Sequence, residues 1–433
     1  NLKMLANLTN EDILDRLTKY HPQKIDLSLS RIKRLLNNLG KPQEKIPPVI
    51  HVAGTNGKGS VVAYLKSIAE AAGLGVHAYI SPHLKRFNER IVVGGIPASN
   101  SEIYQVMEEC EAINGTSPIT FFEITTAIAF VLFSRYPGDL AILETGLGGR
   151  LDATNVIENP EVTVLTPISM DHREYLGGNI CDIAREKAAI MRRGVSCVVS
   201  LQQPEVREVI KEVAASLGST CLYQEEHWSY WKEDKYFHLD NGHRKGRFRL
   251  PNLLGEHQIQ NAAQAITCLD NSRVHNFKTE EINEGLRKVE WSGRLQRLKY
   301  GPIFKFLPSG WEIWLDGGHN IGSAEALISQ FSKWQDKPLC GIFGMLAQKE
   351  PGAIIDRIGG YFDLVSTVAI QNSSNTYSAI DLSRFFHQKG VPSKPVDSVK
   401  DGINQIVRAS NIPSRVIIMG SLSLVGEILE EHG

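Results

Sequence analysis

The 433-residue sequence has few cysteines and no organised group of them. The six, at positions 110, 181, 197, 221, 268 and 340, are scattered and never form a C-x-x-C pair. That excludes a disulfide scaffold and a thiolate zinc centre, and leaves buried or incidental thiols of a reducing compartment. Excess charge of either sign is also missing: 47 Lys and Arg stand against 48 Asp and Glu. No electrostatic case exists for a nucleic-acid or membrane-surface partner. The short basic clusters RIKRLL and GHRKGRFR read as solvated faces. No apolar run approaches the length of a membrane span, and the longest, ITFFEITTAIAFVLF, is broken by Glu123 and by threonines. The first residues lack a signal-peptide pattern, so the cytoplasm is the expected compartment. A start at Asn1 rather than Met suggests that a few residues precede it. There is no internal repeat and no low-complexity segment.

What is present is ordinary for a globular protein: 42% apolar and 22% charged residues. The length predicts two or three domains at roughly 100–200 residues each. The dominant rhythm is a short β-branched run, a turn, then a helical stretch. VIHVAG is a strand ending at Gly54. Residues 58–72 then carry Val61, Val62, Leu65, Ile68, Ala69 and Ala72 at helical spacing, closed by Gly73. GVHAYIS, DLAILE, EVTVLTP and SCVVSL are further strands, with helices expected near 102–114, 121–135, 180–192 and 205–217. This alternation predicts a mostly parallel sheet covered on both faces. Residues 221–250 read as a polar β-meander, followed by a helix over 256–269. VEWSGRLQRLKYGP is a plausible junction, after which WEIWLD, LCGIFG, LVSTVAI and RVIIMG restart the rhythm. The expected division is therefore a larger α/β domain, 1–295, and a smaller one, 296–433.

HVAGTNGKGSVVAYL departs from the usual phosphate-loop pattern G-x-x-x-x-G-K-[ST]. Val52 stands where the first Gly is wanted, and the hydroxyl comes one place late, at Ser60. The context still suits an anion, because a buried strand runs into a helix N-terminus whose free amides and dipole face the ligand. Gly54, Gly57 and Gly59 let the backbone approach phosphates, and Lys58 supplies charge. The plain alternative is a glycine-rich turn with a surface lysine. A magnesium-linked acid is expected at a neighbouring strand end. Glu144, ending DLAILE, and Asp171, in VTVLTPISMDH, are both candidates; either could instead cap a loop. A ligand role for His172 does not follow from magnesium's preference for oxygen.

Lys187 is the oddest residue. It lies on the apolar stripe of Ile180, Ile183, Ala184, Ala188 and Met191, where a lysine needs a partner or must snorkel from the edge. In the second half, DGGHN puts Asp316 at a strand end and His319 at a helix start, where ligands of open α/β sheets gather. Asn320 is explained by capping. IIMGSLSLVGEIL repeats the strand–Gly-Ser–helix arrangement, and capping by Ser421 explains it equally well.

In their order along the chain, HVAGTNGKGS, SPHLKRFNERI, TFFEITTA, ETGLGGRLDATN, DHREYLG, IAREKAAI, GEHQIQNAA, WSGRLQ, DGGHN and GSLSLVGE resemble the folylpolyglutamate synthase/dihydrofolate synthase family, a bifunctional bacterial-type branch of the Mur ligases. The resemblance spans nearly the whole chain. It implies a P-loop ATPase domain with a mostly parallel sheet and a smaller Rossmann-like C-terminal domain. It also implies ligation of L-glutamate to dihydropteroate, or to the γ-carboxylate of a reduced folate, through an acyl phosphate made from ATP. On the same ground Gly54, Thr55, Asn56, Gly57, Lys58, Gly59 and Ser60 would cradle the phosphates. Ser81 and Glu144 would hold one Mg²⁺, and His172 a second. Lys187 would be carbamylated and serve as a metal ligand. Asn261, Arg294 and Asp316 match positions for the adenine, phosphate and ribose parts of ATP. His319 and Ser421 match positions near the incoming glutamate. Phe121, Phe122, Asp152 and Ala153 match a pterin pocket that the loop IDLSLSRI helps close. A monomer without nucleic-acid or membrane partners is implied.

Several positions depart from the family pattern. Ala189 replaces a Gly, Gly318 an Ala, Asn179 a Thr and Val61 a Thr, while Glu350 stands where Asp is usual. None removes a proposed ligand. Two rivals remain: a Mur-type ligase with another acceptor, such as a cell-wall precursor, and a P-loop switch. The switch lacks a guanine-reading N-K-x-D stretch and leaves Asp316 and His319 idle.

Overall fold

The computed structural model describes residues 9–20, 27–373, 375–410 and 412–432. It comprises two units, Asn1–Asn252 with Ile259–Val289, and Leu253–Gln258 with Glu290–Gly433. Of the loop IDLSLSRI, Ile25 and Asp26 lie outside the described residues.

In the first unit, helices α1 (Asn10–Thr18) and α2 (Ser30–Asn38) lead to β1 (Val49–Ala53), which is buried at every position. Helix α3 (Lys58–Ala71) follows the glycine loop, and β2 (Val76–Tyr79) returns to the sheet. A hairpin of β3 (Ile91–Val93) and β4 (Ile96–Pro97) turns on Gly94 and Gly95, both at positive φ. This hairpin is absent from the sequence reading. The strand IVV is too short for a period to register, and the GG turn is its one local signal. Helices α4 (Asn100–Asn114) and α5 (Phe121–Arg135) each begin with a capping box, Ser99–Glu102 and Thr120–Glu123. The box at Ser99 starts α4 two residues before the periodicity does.

Then come β5 (Leu140–Glu144), β6 (Val162–Leu165), the short α6 (Arg173–Leu176), α7 (Ile180–Ala188), β7 (Ser196–Val199), α8 (Pro204–Leu217) and β8 (Thr220–Tyr223). The sheet order is β4-β3-β2-β5-β1-β6-β7-β8. Strands β2 to β8 in that order pair parallel, and only the edge hairpin is antiparallel. One apolar cluster forms around α5 and another around α7 and α8. Helix α7 ends at Ala188 rather than continuing to 192. The Arg192 guanidinium takes the carbonyls of Ala189, Ile190 and Met191, so the chain wraps that cation instead of adding a turn. The meander is a separate antiparallel sheet of β9 (Ser229–Glu233), β10 (Tyr236–Asp240) and β11 (Lys245–Arg249). Helices α9 (Glu256–Asp270) and α10 (Thr279–Lys288) follow.

The second unit repeats the α/β plan. Its sheet contains β12 (Gln296–Leu298), β13 (Glu312–Asp316), β14 (Leu339–Phe343), β15 (Leu364–Thr367), β16 (Ser393–Pro395) and β17 (Arg415–Met419). The order is β12-β13-β17-β14-β15-β16, with β12 antiparallel to β13 and the other pairs parallel. Among the described residues no helix is long and apolar enough to cross a membrane.

Each unit buries a neutral histidine. Burial, then Arg192, holds His51 at about 3; burial, then Arg294, holds His257 at about 4. An unfolded imidazole takes its proton near pH 6.5. Below that pH the unfolded state binds more protons than the folded one, so stability falls as pH drops from 6.5 toward 4. The expected result is a melting temperature that declines across this window, less steeply in His51→Gln. Equal slopes for the variant and the wild type would count against it.

Candidate active site

Four neighbouring parallel strands, β2, β5, β1 and β6, end at the same level. Tyr79 pairs with Leu143, Val52 with Glu144, and Ala53 with Leu165. Their C-terminal loops carry Ser81, Glu144, the glycine loop and Asp171, so the topology gathers residues far apart in sequence along one edge. The Ser81 amide donates to Glu144 Oε2 at 3.2 Å. Glu144 is buried, which a carboxylate tolerates only with partners.

The glycine loop is laced to the chain after β6. The amides of Thr55 and Asn56 donate to the Pro167 carbonyl at 3.0 and 3.1 Å. Thr55 Oγ1 donates to the Ser169 carbonyl at 3.1 Å, and Asn56 Nδ2 to Ser169 Oγ at 2.9 Å. Gly57, with φ 85°, precedes α3 and gives it no side-chain cap, leaving first-turn amides for another acceptor. A Cβ at Gly57 would lie 2.7 Å from Asn261 Oδ1, so Asn261 closes against the loop. Ser60 is buried in the first turn, and Val61 belongs to the core.

Lys187 does not snorkel. It is 4% exposed, and its Nζ donates to the Gly54 carbonyl at 2.9 Å. Lys58 Nζ donates to the same carbonyl at 3.1 Å and to that of Thr55 at 3.4 Å. Burial, then repulsion from Lys58, draws the Lys187 amine down to about 7, against the pull of Asp171 and Asp152. A buried amine drawn toward neutrality in this way is a candidate for a reactive group. His172 sits at φ 51° before α6, with its Nε2 3.9 Å from Asp171 Oδ2 and its side chain 41% exposed. Asn179 caps α7 through the Asp182 amide at 2.9 Å, a role the usual Thr would also fill. Among the described residues no three His, Cys, Asp or Glu side chains converge as a metal cage. A few carboxylates beside a phosphate loop are instead what Mg²⁺ uses, completing its shell from phosphates and water.

A cavity of about 320 Å³ brings together Ser81, Phe121, Phe122, Asp152 and Ala153, with Leu27, Ser28, Arg90 and Glu123 also lining it. Asp152 organises its wall. Oδ2 accepts the amides of Gly146 and Leu147 at 2.9 and 2.8 Å; Oδ1 accepts the Thr154 amide at 3.0 Å and its hydroxyl at 2.5 Å. Burial nonetheless pushes this carboxyl upward. Asp152→Asn turns an acceptor into an NH₂ group facing donors. A loss of about 2 kcal/mol is expected from the amides left unsatisfied, read as a lower melting temperature with weaker ligand binding in the cavity. An unchanged melting temperature would show that the loop is held otherwise.

In the second unit Asp316 and Met419 are register partners at the ends of β13 and β17. Asp316 is buried and accepts the amides of Leu295 at 2.9 Å and Gly318 at 2.8 Å. Burial raises its carboxyl despite nearby Arg294. A Cβ at Gly318 would lie 2.7 Å from Asp316 Oδ1 and 2.9 Å from Ser323 Cβ, so here the Gly-for-Ala departure has a steric reason. His319 Nδ1 lies 3.1 Å from the Gly317 carbonyl. Asn320 caps helix α11 (Ile321–Phe331) through the Ser323 amide at 2.9 Å. Ser421 is buried and accepts the Ser423 amide at 3.1 Å, which fits capping at the start of helix α15, Leu422–His432, once helices α12 (Pro351–Ile358), α13 (Ala379–Gln388) and α14 (Val399–Ala409) are counted. Glu350 is exposed just before α12.

Two features of the cavity escaped residue-level reading. Arg90, at the end of SPHLKRFNERI, is 9% exposed and donates from Nε to His83 Nδ1 at 2.7 Å. Arg31 of α2 forks onto Glu123, with Nε 3.1 and 3.0 Å from its two oxygens. Their surroundings are set by contacts between distant segments, which periodicity does not register.

Comparison with known proteins places these features in a family context. Residues 52–269 match the Mur ligase middle domain. The chain is 33% identical to a dihydrofolate synthase/folylpolyglutamate synthase of Bacillus subtilis, over 92% of this chain and 94% of that one. It is 30% identical to the Escherichia coli protein of the same name, over 96% and 94%. Among solved structures, Escherichia coli FolC in complex with DHPP and ADP superposes with a TM-score of 0.88 at 30% identity, covering 98% of both chains. A bifunctional folylpolyglutamate synthase/dihydrofolate synthase with Mn, AMPPNP and L-glutamate bound gives 0.86 at 29%, again covering 98% of both.

Proposed function

The chain belongs to the dihydrofolate synthase/folylpolyglutamate synthase branch of the Mur ligases, and on that premise we propose that it is an ATP-dependent ligase that joins L-glutamate to dihydropteroate and to the γ-carboxylate of reduced folates. The observation that carries this reading is the gathering of Lys58, Ser81, Glu144 and Asp171 on one sheet edge, with Ser81 also lining the aromatic cavity. Bound ATP and Mg²⁺ would supply the phosphoryl group that makes a carboxylate oxygen a good leaving group.

The chain's own residues then act by position and charge. Residues 54–60 would offer amides to the phosphates, and Lys58, which donates to the Gly54 and Thr55 carbonyls, would neutralise charge on the transferred group. Ser81 and Glu144 would hold one Mg²⁺. His172 and a carbamate on Lys187 would hold a second. The neutral Lys187 amine adds to CO₂, releasing a proton and leaving a carboxylate-like ligand. Phe121, Phe122, Asp152 and Ala153 enclose the pterin. Asn261, Arg294 and Asp316 serve the nucleotide; His319 and Ser421 serve glutamate. Residues 1–295 are the ATP- and pterin-binding part and residues 296–433 the glutamate-ligase part of a cytoplasmic monomer. The test is glutamate-dependent ADP release with dihydropteroate and with a reduced folate monoglutamate. Turnover with one alone would narrow the activity to a single acceptor, and turnover with neither would refute the reading.

A further inference from the structure

Arg90 is a buried cation that the proposed chemistry has not used. It follows the loop from Ser81 and lines the aromatic cavity. Its guanidinium carbon stands 5.4 Å from the Phe121 ring centre and 5.8 Å from that of Phe87. Among the described residues its guanidinium makes one hydrogen bond, from Nε to His83 Nδ1. That bond fixes the plane of the fork and uses its inner nitrogen. The two terminal nitrogens keep four N–H donors beside the cavity. A planar fork held this way suits two neighbouring acceptor atoms, and leaving the terminal nitrogens of a desolvated arginine without one is costly.

We infer that Arg90 is a substrate-binding residue whose terminal nitrogens hold an oxygen-bearing edge of the acceptor substrate. This rests on the proposed pteridine ligase function and deepens it. Two parts of such an acceptor present that chemistry, the carboxylate to be activated and the ring edge where the C4 carbonyl oxygen neighbours the N5 imine nitrogen. His83 is a positioning residue, since it touches only the fork's inner nitrogen.

The experiment compares wild type, Arg90→Gln and Arg90→Lys by titration with dihydropteroate, with 7,8-dihydropterin (which lacks the carboxylate) and with ADP. Arg90→Gln is expected to bind dihydropteroate at least about tenfold more weakly. Arg90→Lys keeps the charge but not the fork, and a comparable loss is expected. ADP affinity should match wild type in both variants, which reports an intact fold. Loss with both pterins assigns the fork to the ring edge; loss with dihydropteroate alone assigns it to the carboxylate. Wild-type affinity for dihydropteroate in Arg90→Gln, or its full recovery in Arg90→Lys, would overturn the inference. A wild-type protein that binds neither pterin overturns the functional reading itself, and this inference with it.

Discussion

Lys187→Ala is expected to lower glutamate-dependent ADP release by more than about a hundredfold, beyond what losing an outer-shell partner of a metal costs, because the carbamate would itself be a ligand. The expectation rests on where the side chain is. Its Nζ is buried on the Gly54 carbonyl, beside Lys58 and within the field of Asp171 and Asp152. A structural role is hard to assign to it, because burying an ammonium costs stability. The variant should therefore melt no lower than wild type, so that lost turnover cannot be laid to unfolding. Acetate or formate, placed in the space left by the side chain, should restore part of the rate if a carboxylate-like group is what is missing. Full activity in the unrescued variant would remove Lys187 from the metal chemistry. No rescue, with the melting temperature kept, would point instead to the amine as the working group.

Gly54→Ala has the second large effect. Gly54 has φ 145°, and a Cβ there would lie 1.9 Å from Thr166 Oγ1, 2.9 Å from Thr166 Cβ and 3.0 Å from its backbone nitrogen. The side-chain clash alone requires the strand ends of β1 and β6 to part, and the backbone term does not yield to a rotamer change. Overpacking of this kind costs about 1–3 kcal/mol, and the backbone conformation adds about 1–3 kcal/mol. The result expected is a markedly lower melting temperature and loss of ADP binding. Thr166→Gly in the same chain removes the two nearest atoms and should recover part of both. Strict additivity of the two substitutions would mean that Gly54 and Thr166 do not oppose each other as described.

These two sites differ in how far the sequence exposes them. The strand–glycine–helix order and the lysine after Gly57 are local, so the loop is readable without a structure. Lys187 is readable as an anomaly, since a 3.6-residue stripe puts a cation where only apolar groups belong, but its acceptor lies 133 residues away in the chain. Glu144 announces itself as a charge closing an apolar strand; its bond to the Ser81 amide does not. Asp152 enters only through the resemblance, as part of a pterin pocket; that its two oxygens each accept two bonds from its own loop is visible in the structure alone. Arg90 gave no signal as a residue, because what makes it unusual is the arrangement of His83, Phe87 and Phe121 around it. Helix α7 stops early for a local reason that periodicity also misses, the Arg192 guanidinium folding back onto the carbonyls of Ala189, Ile190 and Met191.

The Gly54 carbonyl accepts from the side-chain nitrogens of Lys58 and Lys187 at once, which couples the charge of one to the charge of the other. Protonation of Lys187 and occupancy of the loop by an anion are linked, and linkage is reciprocal. Phosphates arriving first would hold Lys187 in its charged form and close it to CO₂. With the loop free of anions, Lys58 instead disfavours that charge and leaves the amine nucleophilic. A carbamate on Lys187, as proposed, would oppose bound phosphates, and a divalent cation at the site would offset that repulsion. Under the carbamate proposal the binding of CO₂, metal and nucleotide would thus be linked rather than independent, and the link runs through two lysines sharing one oxygen.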